Sequence, residues 1–186
     1  MNYKVKKLSE TAMVTGKVRF SFANVFEPKS VKGGPPKYSV SLLISKDETE
    51  MIKTIEECIE EAKKVGASKK FGGSIPTVLK LPLRDGDVEK PDDENYKNCY
   101  FFTAASGNAP GVFKEAGGKL VGIDESEFYS GCYGRASINF YAFNEGTKGI
   151  ACGLNDILKV EDGDKLSGGS NAAEAFGMEV DGEEFM

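Results

Sequence analysis

Two aspartates separated by one glycine have the spacing that best suits metal-assisted chemistry. Asp85 and Asp87 lie on either side of Gly86 in LRDGD, and paired carboxylates of this kind can hold Mg²⁺. The same Asp-Gly signature is common in ordinary turns, and EDGD at 161–164 repeats it. A turn is therefore the preferred interpretation, and a carboxylate-dependent nuclease using Asp85 and Asp87 is kept as an alternative.

The rest of the composition offers little other catalytic chemistry. The chain has no histidine and no C-x-x-C pair among its four cysteines, so the usual general base and the usual zinc ligand sets are missing. Neither the Gly-x-Gly start of a dinucleotide fingerprint nor a Gly-x4-Gly-Lys phosphate loop occurs. We therefore expect a protein that is not an enzyme and that carries no cofactor or metal.

The longest alternating stretch, residues 129–143, points to a binding surface. Its even positions from Cys132 to Ala142 are mostly apolar, and strand geometry places them on one face. The odd positions are Tyr129, Tyr133, Arg135, Ser137, Asn139 and Tyr141. Aromatic rings beside a cation form a platform on which unpaired bases stack. Tyrosines that cover a barrel end or pack under a loop are the alternative.

Charge is segregated along the chain. Residues 1–46 hold nine bases and only two acids. The bases are Lys4, Lys6, Lys7, Lys17, Arg19, Lys29, Lys32, Lys37 and Lys46. A basic segment beside an aromatic strand face fits a groove for a phosphate backbone, although a solvated surface would look similar in sequence.

The C-terminal end has the opposite charge. From Asn171 onward there are five acids and no base, so this segment accounts for the whole net charge of −5. It is too short and polar to fold alone. We predict a domain over 1–170 and a disordered acidic tail over 171–186. The tip of the tail, which would bind a partner, consists of Asp181, Glu183, Glu184 and Phe185. A frayed terminus is the alternative.

The elements that would position these residues are mostly strands. Residues 13–22 alternate, with Val14, Val18, Phe20 and Phe22 on the buried face. Further strands are predicted over 38–44, 77–83, 99–104, 119–123, 128–143 and 149–160, and the segments 84–98 and 105–118 are predicted loops. A single helix follows residues 45–48 and ends near Val65, with Gly66 as its stop. The predicted fold is mainly β, an OB-fold-like twisted β-barrel with one α-helix and long loops.

The sequence also bears on the compartment. No apolar stretch approaches the ~18 residues that a membrane span needs, and the first residues have early lysines without the apolar region of a signal peptide. We therefore expect a cytoplasmic protein that does not associate with membranes.

Several longer segments resemble a known family. FANVFEPK, KYSVSLLISKD, LPLRDGD, FYSGCYGRASINFYAFN and KGIACGLNDILKVEDGDKLSGG together are similar to single-stranded-DNA-binding proteins encoded by tailed bacteriophages and prophages, over about residues 14–176. The resemblance implies an OB fold with a groove for single-stranded DNA (ssDNA) and no catalysis. It also implies coating of ssDNA without strong sequence preference during replication, recombination or repair in a bacterial host's cytoplasm.

The resemblance extends to the tail. Proteins of this functional class commonly end in an acidic tail tipped by an aromatic residue, and DGEEFM resembles one, although the chain ends on Met186 instead of Phe185. It implies that replication or recombination proteins bind the tail, and it is compatible with self-association.

Individual DNA contacts are taken from the strand pattern. The residues expected to hold phosphates are Lys17, Arg19, Lys29, Lys32, Lys37 and Arg135. The residues expected to stack on bases are Tyr129, Tyr133 and Tyr141, and Asn139 lies on the same predicted face. The alternative to DNA binding is a phage structural or assembly β-barrel protein that uses Tyr133 and its neighbours as a protein interface.

Overall fold

Short strands dominate the computed structural model, which describes residues 3–30 and 33–166. Within these residues the strands are β1 (Lys6–Lys7), β2 (Ala12–Val14), β3 (Val18–Lys29), β4 (Lys37–Ser45), β5 (Arg84–Asp85), β6 (Cys99–Ser106), β7 (Gly111–Ala116), β8 (Lys119–Gly122), β9 (Tyr133–Glu145) and β10 (Thr147–Glu161). The helices are α1 (Thr49–Lys69), α2 (Gly86–Glu89) and a 3-10 turn over Glu94–Tyr96. The mainly β prediction is confirmed, but the prediction of one helix is wrong because α2 forms inside the predicted loop 84–98.

Five of the strands close into a barrel. The order β9-β3-β4-β6-β10 is completed by pairing of β10 with β9, and all neighbours are antiparallel except β6 and β10. This is the five-stranded barrel of the OB fold, as predicted. The β1–β2 hairpin adds to β9, and the β7–β8 hairpin adds to β10 through a parallel pairing.

The barrel interior takes the apolar face of each strand. On β9 the even residues Ala136, Ile138 and Phe140 are at most 2 % exposed, which confirms the predicted alternation. Helix α1 packs its apolar stripe, including Met51 and Ile55, against this same core. In the described part of the chain, no helix is both long and apolar enough to cross a membrane.

Helix α1 is longer than predicted. It continues through Gly66 to Lys69, so the expected end near Val65 is wrong. Gly66 is buried there, and a Cβ atom on it would come within 2.4 Å of the Ala142 Cβ. The glycine is therefore required by the close approach of the helix to β9, and not by a helix stop.

Two predictions in the middle of the chain are also wrong. The predicted strand over 77–83 reduces to a single bridge between Lys80 and Gly149, and Val78 is 84 % exposed. Pro76 and Pro82 flank this bridge, and proline has no N–H to donate to a ladder. Conversely, the predicted loop 105–118 contains β7, which is held by its pairing with β10.

Two long predicted strands differ from the observed strands in where they begin and end. The strand expected from residue 128 begins at Tyr133, because the chain turns at Gly131 with φ +115°. The strand expected over 13–22 is divided into β2 and β3, and β3 continues to Lys29.

A β-bulge interrupts β3 opposite β4. Ser21 pairs with Ser41 and Asn24 pairs with Ser39, so Phe22 and Ala23 together face a single residue of β4. Val18 and Phe20 are buried as predicted, but Phe22 is 55 % exposed with φ +48°. Its predicted place in the core is therefore wrong, and after the bulge Val25 is the buried residue.

Candidate nucleic-acid interface

The outer face of β9 carries the polar and aromatic side chains that the sequence pattern placed there, except Tyr129, which lies before β9 begins. Tyr133, Arg135 and Asn139 are partly exposed, and Tyr141 is 42 % exposed. The register is fixed by pairing on both sides, since Arg19 of β3 and Glu161 of β10 both lie opposite Tyr133.

Tyr133 lies beside two cations from β3 and the turn before it. The Lys17 Nζ atom is 5.0 Å and the Arg19 Cζ atom is 5.5 Å from the centre of the Tyr133 ring. Both distances are within the range of a cation–π interaction. Lys17 also forms an ion pair with Glu161, so its ammonium is held against the ring from the β10 side.

Arg19 is further fixed by the chain that follows β10. Its guanidinium donates to the backbone oxygens of Gly131 at 3.1 Å and Asp164 at 2.8 Å, and to the Asn95 Oδ1 atom at 3.3 Å. Because three acceptors on different segments fix its position, Arg19 presents a pre-ordered planar cation beside Tyr133.

Tyr129 contacts the end of β10 and the segment 162–165 that follows it. The Lys159 and Lys165 ammonium groups are 5.2 and 5.6 Å from its ring centre. Its hydroxyl donates to Asp162 Oδ1 at 3.0 Å and accepts from the Gly163 N–H at 3.2 Å. Burial raises the pKa of the Tyr129 phenol, so the hydroxyl stays protonated at neutral pH.

These side chains lie on two sides of Gly163, whose N–H donates to the Tyr129 hydroxyl and whose Cα adjoins the Tyr133 ring, and we call them together the Tyr133 cluster. It consists of Lys17, Arg19, Tyr129, Tyr133, Lys159 and Lys165. The predicted residues Lys17, Arg19, Tyr129 and Tyr133 are thus brought together. Lys159 and Lys165 were missed, because the pairing of β10 with β9 places Lys159 beside Tyr129 and the path of residues 162–165 places Lys165 there.

A row of outward side chains continues from the Tyr133 cluster across the barrel. The pairings place Tyr133, Arg19, Leu43, Phe101 and Arg84 side by side on successive strands. The middle of the row, from Leu43 to Phe101, is covered, since these two residues are at most 4 % exposed.

The covering side chain is a tyrosine from the predicted loop 84–98. Tyr96 packs edge-on against Phe101, with ring centres 5.0 Å apart. The near end of the row lines an open groove of about 280 Å³, whose walls include Lys17, Arg19, Leu43, Asn95 and Tyr133.

The remaining predicted residues lie elsewhere. Lys29 and Lys37 are cross-strand neighbours at the far end of the β3–β4 hairpin, and both are exposed. Tyr141 is eight residues from Tyr133, or about 26 Å along β9. Since β3 and β9 are antiparallel, Lys29 and Tyr141 lie toward opposite ends of the molecule. Lys32 lies outside the described residues.

Arg135 has a partner set of its own. Its guanidinium donates to the backbone oxygens of Thr15 at 2.9 Å and Lys4 at 2.7 Å, and it lies 5.8 Å from the Tyr3 ring centre. These bonds attach the N-terminal segment to β9. Asn139 lies further along the outer face of β9. Its Oδ1 atom lies beside Gly153, and a Cβ atom on that glycine would come within 2.6 Å of it.

The paired aspartates have a structural role. The Lys46 ammonium donates to Asp85 Oδ1 at 2.7 Å and to Asp87 Oδ2 at 2.8 Å. Asp85 also accepts from the Asp87 N–H at the start of α2, and Asp87 accepts from the Asn98 N–H. Across residues 3–30 and 33–166, no group of three or more His, Cys, Asp or Glu side chains could hold a metal ion. The aspartates tie loop 84–98 to Lys46, the residue after β4, and Asp85 caps the start of α2.

This tie predicts a pH-dependent stability. Hydrogen bonds from Lys46 lower the pKa of both Asp85 and Asp87, so the folded state binds fewer protons than the unfolded state just below the ordinary aspartate pKa of ~3.9. Their stabilisation is present above that pH and is lost as the pH falls through the folded pKa. We expect Lys46→Met to lower the melting temperature at pH 7, with a smaller difference from wild type below about pH 4.

The control for this melting series is Lys64→Met, which removes an exposed lysine from α1. Its curve should follow that of the wild type at each pH. A Lys46→Met difference that stays constant down to the lowest pH would mean that the aspartates do not carry the effect.

The chain is similar to known phage proteins over most of its length. The family model described as "Enterobacter phage Enc34, ssDNA-binding protein" matches residues 11–186. Protein p50 of Acyrthosiphon pisum secondary endosymbiont phage 1 is 31 % identical over 162 residues, which cover 84 % of this chain and 86 % of p50.

Solved structures agree with the family match. The single-stranded DNA-binding protein of bacteriophage Enc34 in complex with ssDNA has a TM-score of 0.74 and 25 % identity, covering 89 % of this chain and 98 % of that one. The gp2.5 single-stranded DNA-binding protein of bacteriophage T7 has a TM-score of 0.57 at 16 % identity, covering 94 % and 98 %, and shares the fold. With almost the whole chain matched, this protein belongs to the Enc34 family of phage single-stranded DNA-binding proteins.

Proposed function

We propose that this protein coats ssDNA without strong sequence preference, and that the Tyr133 cluster and the groove beside it contact the strand. The observation that carries the proposal is the cation–π arrangement of Lys17 and Arg19 around the outward ring of Tyr133. A partly exposed ring offers its face to any base, and the cations beside it attract phosphate. The complex of the Enc34 relative with ssDNA supports the same function.

The cations of the Tyr133 cluster would exchange partners on binding. Lys17 and Lys159 are paired with Glu161 and Asp162 in the free protein. A phosphate could replace either carboxylate, since both acids lie at the exposed end of β10. Arg19 would stay in place, because its acceptors include two backbone oxygens.

Lys29, Lys32 and Lys37 remain proposed phosphate contacts on the β3–β4 hairpin, and Tyr141 and Asn139 remain proposed contacts at the far end of β9. Arg135 holds the N-terminal segment to β9 and also remains a proposed phosphate contact. Coating of this kind serves replication, recombination or repair of phage DNA in the bacterial cytoplasm, and we assign no catalytic step or cofactor to it. The family match favours DNA binding over the alternative of a phage assembly protein.

Tyr133→Ala tests the proposal. The variant should bind a labelled dT oligonucleotide about 1–3 kcal/mol more weakly, because one stacked base loses its platform, and fluorescence anisotropy measures the change. Its melting temperature should stay near that of the wild type, since the ring lies outside the barrel core.

The matched control is Leu120→Ala, which truncates a 63 %-exposed side chain on β8 and should leave affinity unchanged. If the wild type binds dT no better than duplex, or if Tyr133→Ala binds as the wild type does, the Tyr133 cluster is not the DNA surface.

The acidic segment 171–186 is proposed to act as a tail that competes with DNA and recruits partners. Residues 162–165 cross the Tyr133 cluster and lead toward that segment, so its carboxylates would be at high effective concentration near the cations. DNA would displace them and free the tip, Asp181, Glu183, Glu184 and Phe185, for a replication or recombination protein. All four residues lie outside the described part of the chain.

Removing residues 171–186 should tighten ssDNA binding at low salt, and the gain should fade as salt screens the charges. Two full-length variants separate the two roles of the tail. Replacing Asp181, Glu183 and Glu184 by their amides should reproduce the tighter binding, whereas Phe185→Ala should impair only capture of a polymerase, helicase or recombinase. Unchanged affinity at low salt with intact capture would reduce the segment to a frayed terminus.

A further inference from the structure

Phe22 occupies a backbone conformation that phenylalanine rarely adopts. It lies in the β3 bulge with φ +48°, in the left-handed region where a side chain crowds the following carbonyl oxygen. Bulges with one residue in this conformation usually place glycine there. The Asn24 side-chain amide donates to the Phe22 oxygen at 3.2 Å and helps to hold this backbone.

Packing does not account for a phenylalanine at this position. The Phe22 side chain is 55 % exposed, so it buries much less apolar surface than its neighbour Phe20, which is fully buried. Glycine would adopt the same backbone without steric cost. Strain retained on an exposed aromatic side chain in a bulge is a feature of binding sites.

The surroundings of Phe22 suit a nucleotide. The Lys90 ammonium is 5.8 Å from the Phe22 ring centre and 5.2 Å from that of Tyr96. A small groove beside the ring is lined in part by Ser21, Tyr96, Asn95 and Asp93. The Asp93 carboxylate accepts from the Asn95 N–H, and polar groups adjoin an aromatic face and a cation. Phe22 is three residues from Arg19 on the same strand, or about 10 Å.

We propose that Phe22 and Lys90 form a second nucleotide-binding site, with the ring stacking on a base and the ammonium contacting a phosphate of the same strand. This inference rests on the proposed function and deepens it, since it leads the DNA from the Tyr133 cluster along β3. The bulge is the device that turns the Phe22 ring from the core to the DNA. Asn95 links the two sites, because it lines both grooves and accepts a hydrogen bond from Arg19.

The test compares three substitutions at position 22 with a nearby control. Phe22→Gly and Phe22→Ala should each lower the affinity for a dT oligonucleotide by about tenfold, whereas Phe22→Tyr should retain it. Phe22→Gly should nevertheless melt at a higher temperature than Phe22→Ala, since only glycine relieves the left-handed strain. Val88→Ala, which truncates a 73 %-exposed side chain of α2, should leave affinity unchanged.

A photo-crosslink locates the site directly. An oligonucleotide carrying 5-iododeoxyuridine should crosslink to Phe22 of the wild-type protein, and Phe22→Gly should abolish that adduct. Lys90→Ala should reduce the slope of log K against log salt by about 0.7, the value for one phosphate on a single strand.

The outcomes separate this inference from the proposed function. If the wild-type protein binds dT and Phe22→Gly binds it equally well and crosslinks at the same residues, the second site is overturned. The proposal for the Tyr133 cluster then still stands. Wild-type protein that does not bind dT overturns both.

Discussion

Raising the salt concentration from about 50 to about 200 mM should weaken binding of a labelled dT oligonucleotide by about 50-fold or more. The Tyr133 cluster holds four cations, Lys17, Arg19, Lys159 and Lys165. If each contacts one phosphate, these four cations alone give log K against log salt a slope of about −2.8, and each further phosphate held by Lys90 or by the lysines of the β3–β4 hairpin adds about −0.7. The slope counts ions released from the DNA, so the carboxylates already paired with Lys17 and Lys159 do not change it.

Single substitutions make this expectation specific. Lys165→Ala should reduce the slope by about 0.7, whereas Lys64→Ala on helix α1 should leave it as it is. Duplex DNA should bind more weakly at every salt concentration, because its stacked bases are not available to Tyr133. A flat salt response would contradict a phosphate-binding surface of any location.

Replacing Phe140 by alanine should lower the free energy of unfolding by ~3–5 kcal/mol, which urea denaturation measures. Phe140 is 2 % exposed, and its ring centre is 5.9 Å from that of Phe102 in the barrel core. The vacated volume is enclosed by β-strands on several sides, so the surroundings can relax only in part.

The adjacent residue provides the control. Tyr141 is on the outer face of β9 and 42 % exposed, so Tyr141→Ala should cost much less stability. If the two variants exchanged their effects, β9 would be displaced by one residue and its outer and inner faces would be reversed.

Strand β9 could be predicted from the sequence because the alternation of its apolar and polar residues is unbroken. Residues 132–142 alternate without a break, and alternation alone decides which side chains face the core. The position of Tyr133, Arg135 and Tyr141 on the outer face followed from this pattern. The OB barrel followed from the number of strands and from the segments that resemble the phage family.

The same reasoning failed at the β3 bulge. Val18, Phe20 and Phe22 continue an apolar alternation, so the sequence contains no local sign that the ladder skips a residue after Ser21. Asn24, whose side chain binds the Phe22 oxygen, is the one nearby residue typical of such a backbone. Pairing with β4 determines the bulge, and pairing partners are distant in sequence.

The groups assembled by long-range contacts were equally hard to foresee. Lys159 meets Tyr129 because β10 pairs with β9, and Lys165 meets it because residues 162–165 return beside the same ring. Gly66 looked like a helix stop, but its reason is the Ala142 side chain on another element. In each case the position is determined by a tertiary contact between residues that are distant in sequence, and the sequence alone does not reveal such a contact.

The position of β10 in the sheet has a consequence for synthesis of the chain. This last described strand pairs with β9 over its whole length and is the only parallel neighbour of both β6 and β7 among the described residues. Until Glu161 has left the ribosome, β6 and β9 are open edges and the barrel cannot close. Closure of the barrel therefore waits for β10, and its long-range pairings form slowly. During that interval the open edges can pair with other nascent chains, which favours aggregation when the protein is made rapidly and in quantity.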